Sequence, residues 1–242
     1  MRNKIILMGF VLCFLAMDLI AFGENIPKDT IPKNSVDTLI NRVGSTPLRV
    51  RDFISINSAT LSIGYYKPSM AYFNNTFLPL ANTPNRFAGN PIVGANVSFD
   101  FPFNFGTRLG IWYWGDNVKG QTGSSFQKLN VSLSGFSLGA FYTYKAGYKG
   151  IIPYLGIEES FLLVQNKYDA NDMVIKKGGN DIAFMPFIGI NRSVSEKIVI
   201  GLEYGYCLGW YLQDVELGTG SIAEHVKING SKIQFTIGYK IP

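Results

Sequence analysis

Residues 98–116 read SFDFPFNFGTRLGIWYWGD. Phe99, Phe101, Phe103, Phe105, Leu109, Ile111 and Tyr113 place an apolar or aromatic side chain at almost every second position, and Arg108 stands among them. A period of two is the signature of a strand, because successive side chains leave the backbone on opposite faces. One face of this segment is an apolar comb, and the other carries Asp100, Gly106, Arg108, Gly110 and Trp112. A transmembrane barrel supplies both environments, with lipid outside and a lumen that accepts charge. In this reading Pro102-Phe103-Asn104 turns the chain at one rim.

Composition agrees with a membrane surface built from strands. Of the 242 residues, 47% are hydrophobic, 14% aromatic and only 16% charged, against about a quarter charged in ordinary soluble domains. Beyond the extreme N-terminus, no apolar run reaches the length of a spanning helix. That N-terminus carries basic Arg2 and Lys4, an apolar stretch from Ile5 to Met17 and a small-x-small site at Ala21-Phe22-Gly23, the three parts of an export signal. Cleavage is expected before Glu24. Cys13 follows the bulky Leu12 inside the apolar run, which disfavours lipoprotein processing.

The formal charge is +5, and it becomes +4 when residues 1–23, with Arg2, Lys4 and Asp18, are removed. With no basic run and no nucleic-acid-binding motif, a nucleic-acid partner is excluded. The mature chain keeps one cysteine, Cys207, so it forms no internal disulfide. Residues 24–57 are polar, interrupted by Pro27, Pro32 and Pro47, and read as a periplasmic linker. Within it Val36, Leu39, Ile40 and Val43 form a helical stripe behind Asn34 and Ser35, too short to persist alone.

Strand-period segments fill the remainder, residues 58–242: 58–66, 92–101, 105–114, 129–145, 151–164, 181–192, 197–211 and 226–241. The connections alternate in length. Short turns lie at 102–104, 146–150 and 193–196, and long loops at 67–91, 115–128, 165–180 and 212–225. Outer-membrane barrels show this rhythm, with short periplasmic turns and long external loops. The expected fold is all-β: an eight-stranded, antiparallel, up-and-down transmembrane barrel. Two places disturb the alternation. The apolar set of the fourth segment moves from Leu129, Val131 and Leu133 to Phe136, Leu138, Ala140 and Tyr142, which predicts a bulge near Gly135. In the fifth, Glu158 and Glu159 are adjacent, so strict alternation sends one carboxylate toward lipid unless a bulge or a position above the hydrocarbon relieves it.

The hairpin rhythm and the final segment, SKIQFTIGYKIP, resemble the eight-stranded outer-membrane barrels of the OmpA-transmembrane and OmpW-like type. The resemblance implies insertion by the barrel assembly machinery, which in that family reads a last strand ending in an aromatic residue. Here Tyr239 and Ile241 keep the alternation and Pro242 follows.

An eight-stranded lumen is about wide enough for side chains to fill. Arg108, Glu158, Glu203 and Lys232 all point inward in this reading and balance in charge, so they form a candidate lumen plug, with Glu203 and Lys232 as neighbours on adjacent strands. The alternative for the same set is a gated ion path. The first long loop is the candidate surface for binding or for covering the mouth, through Met70, Tyr72, Phe73, Phe77, Leu78, Leu80 and Phe87.

Catalytic, metal and cofactor readings find little support. His225 is the only histidine and lacks the serine two residues on that barrel deacylases carry; Ser221 and Ser231 reach it only by folding. One histidine and one mature cysteine make no metal-ligand spacing, and the glycines at 176–180 and 218–221 precede no helix. No cofactor and no enzymatic activity are expected. The functional expectation is a structural or interaction barrel of the Gram-negative envelope, embedded in outer-membrane lipid and serving as a subunit of a larger complex. A carrier or narrow channel for small hydrophobic molecules is the alternative, and a lipid-modifying enzyme a distant third.

Overall fold

The computed structural model describes residues 54–80, 84–122, 125–144, 150–170, 173–217 and 220–241. The export signal, most of the linker and its short helical stripe lie outside the described residues. The strands are β1 (Ser55–Pro68), β2 (Asn90–Asp100), β3 (Phe105–Thr122), β4 (Ser125–Thr143), β5 (Ile151–Ala170), β6 (Met173–Ser193), β7 (Ile198–Leu217), β8 (Gly220–Lys227) and β9 (Gly230–Lys240). Each pairs antiparallel with its sequence neighbour, except that β8 and β9 are two pieces of one stave, both paired to β7. β9 also pairs with β1, from Ser58↔Lys240 to Pro68↔Gly230, which closes an eight-stave barrel.

The register climbs as it goes round. It passes from Thr60 through Asn96, Gly110, Ser137, Ser160, Ala183 and Gly209, and regains β1 near Ser69, about ten residues higher. That stagger fixes the strand tilt and a lumen that side chains can fill. At Pro186 the β6–β7 ladder skips from Phe184↔Leu208 to Phe187↔Gly205, since proline has no N–H to give. Between β8 and β9 the chain steps out of the strand. There Ile228 N–H donates to Gly209 O at 3.0 Å, Gly209 N–H donates to Asn229 Oδ1 at 2.9 Å, and Ser69 N–H donates to Asn229 O at 2.7 Å.

The periplasmic turn at 102–104 is as expected, and it places Phe103 (φ 64°) and Asn104 (φ 67°) in the left-handed region. Outside it, a continuous apolar belt includes Leu61, Ile63, Val93, Leu109, Ile111, Phe136, Leu138, Leu155, Ile188, Leu202, Phe235 and Ile237, all exposed. Phe101, expected in the lipid-facing comb, instead lines the lumen mouth.

Three expectations are corrected. First, β1 starts at Ser55, inside the expected linker, and takes a register shift between Ile56 and Ser58. Second, the segments 115–128, 165–180 and 212–225 are mostly paired strand: β3 with β4, β5 with β6 and β7 with β8 continue as tall hairpins to narrow tips. Inward Val118, Leu129, Val131 and Val164 hold their bases together, an alternation hidden in sequence by the polar residues between them. Third, there is no bulge at Gly135, because β4 runs unbroken against both neighbours. Leu129, Val131 and Leu133 point inward and Phe136 and Leu138 outward, so the apparent shift is a change in what the lumen contains.

The same strict alternation puts Glu158 in the lumen and Glu159 on the outer face, opposite Leu138 and Phe184 and between Ile157 and Phe161. No bulge relieves it. A carboxylate on the lipid face costs free energy, less than a lysine or arginine at the midplane. Replacing Glu159 by Leu should therefore stabilise the inserted barrel by on the order of 1 kcal/mol, read as a higher urea midpoint for unfolding from lipid vesicles. A lower midpoint would show that the carboxylate has a favourable partner.

Candidate functional site

The lumen gathers the buried charges Arg108, Glu158, Glu203 and Lys232, and it has three zones. At the periplasmic end lies a vestibule of about 1020 Å³ of mixed lining, polar at Ser58, Thr60, Asn96 and Asp100 and apolar at Ile56, Phe105 and Val199, with Arg108 also lining it. Two lining groups are anchored: Asn57 Nδ2 donates to Asp100 Oδ2 at 2.8 Å, and Lys240 Nζ to Ser193 Oγ at 2.6 Å.

The middle zone is a clamp. β3 delivers Arg108 inward, β5 delivers Glu158 and β7 delivers Glu203, each by the even step of its strand. Arg108 Nε donates to Glu158 Oε2 at 2.8 Å, while Nη1 and Nη2 donate to the two oxygens of Glu203 at 2.5 and 3.1 Å. Tyr154 OH adds a bond to Glu203 Oε2 at 3.1 Å, and the guanidinium stacks 3.9 Å from the Phe187 ring centre. This forked geometry is what arginine provides and lysine does not. The four expected plug residues are all buried, but they pair differently from the sequence reading. Lys232 is opposite Gly205, with Glu203 opposite Gln234, and its ammonium lies 5.4 Å from the Trp112 ring centre. Glu203 is turned to Arg108 instead, because only the guanidinium spans both carboxylates.

Above the clamp the interior is closely packed and mostly apolar, with Lys232, Asn166 and Gln213 among its buried polar residues. Tyr66, Ile92, Trp112, Trp114, Leu133, Leu162, Ala183, Cys207 and Tyr211 pack as one core. The indoles keep their N–H groups satisfied, Trp112 on Ser160 Oγ at 3.2 Å and Trp114 on Tyr66 O at 3.2 Å; Tyr66 OH donates to Ile228 O. Gly135 makes room for this layer, since a Cβ there would lie 2.3 Å from the Trp112 indole.

The first long connection closes the top. Met70 is 0% exposed, Phe73 and Phe87 4% and Leu78 3%, all part of the same core. Tyr72 and Phe77 pack against it, and the Leu80 side chain lies outside the described residues. Asn74 staples the lid: its Nδ2 donates to Ser69 O and Phe87 O at 3.0 and 3.1 Å, and its Oδ1 accepts from Phe87 N at 2.8 Å. These apolar side chains thus face the barrel rather than solvent. Sequence reasoning did not single out Tyr154 and Phe187, although both lie on the inward step of segments already read as strands.

His225 is exposed on β8, Ser231 Oγ lies 3.2 Å from Tyr204 OH, and the Ser221 side chain lies outside the described residues. No cluster of three metal-ligating side chains occurs among the described residues.

No family model matches the chain, and no curated protein matches its sequence. Solved structures do resemble it. The outer membrane protein OprG from Pseudomonas aeruginosa is 12% identical, with 76% of this chain and 96% of that one covered at a TM-score of 0.50. The Neisserial surface protein A is 11% identical over 78% of this chain and 99% of its own, at 0.44. Ail, the attachment invasion locus protein of Yersinia pestis, is 11% identical over 77% and 100%, at 0.42. The class that the fold defines is the eight-stranded bacterial outer-membrane β-barrel.

The clamp geometry yields a double-mutant prediction. Removing one partner of a buried ion pair costs about 3–5 kcal/mol. Arg108→Met and Glu203→Gln should each destabilise strongly and couple strongly, while Glu203→Gln and Lys232→Gln should be nearly additive because their groups do not touch. Urea unfolding of the three single and two double variants from vesicles decides it; strong Glu203–Lys232 coupling would contradict the geometry.

Proposed function

We propose that this protein is an exported barrel of the bacterial outer membrane with a structural or interaction role in the envelope, and that its lumen is sealed. The observation that carries the reading is the filled cross-section: the Arg108–Glu158–Glu203 clamp is topped by a packed, mostly apolar core and a stapled lid. A solute entering the vestibule meets a guanidinium with both neighbouring carboxylates engaged, then indole and leucine side chains. The exposed apolar belt supports placement in lipid, since such a surface is costly in water.

In this reading the assembly machinery inserts the chain through its last strand, the belt contacts outer-membrane lipid, and the tall external hairpins and periplasmic linker offer surfaces to an envelope partner. Catalysis is not part of it. A carrier of hydrophobic molecules would need a cavity where Trp112, Trp114 and Leu162 now pack.

Planar-bilayer recording with the full chain tests the seal. The wild type should pass no steady current, whereas Arg108→Ala should leak, because the clamp would lose its centre and leave two carboxylates that draw in water. Stable channels in the wild type, or a hydrophobic ligand co-purifying in stoichiometric amount, would replace the structural reading with transport.

A further inference from the structure

Four lysines stand in a row on the outer wall of the protruding hairpins. Lys119, Lys128, Lys167 and Lys176 come from β3, β4, β5 and β6, four adjacent strands, all on the outward step that lower down carries the lipid-facing residues. The register sets Lys119 directly opposite Lys128 and Lys167 directly opposite Lys176. Like charges facing each other across an antiparallel pair oppose folding. Asp169 is the one carboxylate on this wall among the described residues; it lies opposite Lys128 and bonds Lys167 at 3.0 Å, so the row keeps an excess of positive charge.

The position of the row says what compensates it. On β5 the outward series runs Phe161, Leu163, Gln165, Lys167, so the Lys167 backbone lies about 13 Å along the strand from the last lipid-facing leucine, and on β3 Lys119 lies about 20 Å beyond Tyr113. On a tilted strand this is the height of headgroups. The side chains point sideways over the leaflet, away from the lumen and short of the hairpin tips where a soluble partner would first make contact.

We propose that this row binds the headgroup phosphates of outer-leaflet lipid and fixes the depth and rotation of the barrel in the membrane. Phosphate suits it because a point charge on a flexible stem reaches such groups without a fixed fork, and each lysine near an anionic surface adds a similar increment of attraction. The inference rests on the membrane reading above, and its test separates the two.

The full chain, folded in neutral detergent, is titrated with bisphosphorylated lipid A, with its dephosphorylated form and with soluble polyphosphate, following the thermal transition. Heat-modifiable gel mobility reports folding of every variant independently; its absence in the wild type would sink the membrane reading itself. The wild type should bind the phosphorylated lipid in preference to the other two. Changing all four lysines to Gln should weaken that binding on the order of a thousandfold, changing them to Arg should keep it, and the pair Lys119→Gln with Lys128→Gln should lie between. Equal binding of phosphorylated and dephosphorylated lipid, or an undiminished Gln variant, would overturn the proposal. Polyphosphate binding as tight as the lipid would overturn it too, in favour of a soluble polyanion.

Discussion

The pairing of β9 with β1 from Ser58↔Lys240 to Pro68↔Gly230 leaves no free sheet edge below the protruding hairpins, and most other features follow from it. Backbone groups in hydrocarbon must find partners within the protein, so a sheet in lipid has to close. Closing on eight staves with a stagger of about ten residues sets a narrow bore, and that bore must hold whatever the inward steps of the strands carry. Glycine at inward positions is one answer to the crowding, with Gly135 seating the Trp112 indole. Arg108 is another, since one guanidinium reaches across to strands β5 and β7 and joins staves that are not neighbours in the sheet.

The interior changes character along the axis while the exterior belt stays apolar. Polar groups line the periplasmic vestibule, ions occupy the waist, and a core of the kind found in water-soluble proteins fills the upper half. The waist is then the boundary between an open vestibule and a packed core. A bidentate arginine suits such a boundary because it offers donors in several directions and loses little by partial desolvation. The packed half also explains the lid, since Met70, Phe73, Leu78 and Phe87 complete a core that would otherwise open to the exterior.

Alternation made the spanning parts of the strands legible, and with them the inward direction of Arg108, Glu158, Glu203 and Lys232. It failed where the inner face is as apolar as the outer one. In β4 the inward Leu129, Val131 and Leu133 lead into the outward Phe136 and Leu138, which reads as a slipped register although the backbone is regular. The tall hairpins were misread as loops because their outward residues are polar, as on any strand in water. Pairing within the clamp was not legible at all: it depends on side-chain reach across the bore, and Tyr154 and Phe187 carry no local signal that tells a stacking partner from an ordinary inward aromatic.

Each long strand therefore passes through two outer environments with one backbone geometry. On β5, Leu155 and Ile157 face hydrocarbon, Gln165 and Lys167 face the polar zone above it, and the inner face runs from Tyr154 through Glu158 to Leu162 and Val164. A one-residue slip would exchange the two faces along its whole length. It would bring Glu158 into lipid and Leu155 and Ile157 into the clamp. The ion pairs at the waist thus act on register as well as on stability, because Arg108 can meet Glu158 and Glu203 together only when β3, β5 and β7 all stand in the observed alignment.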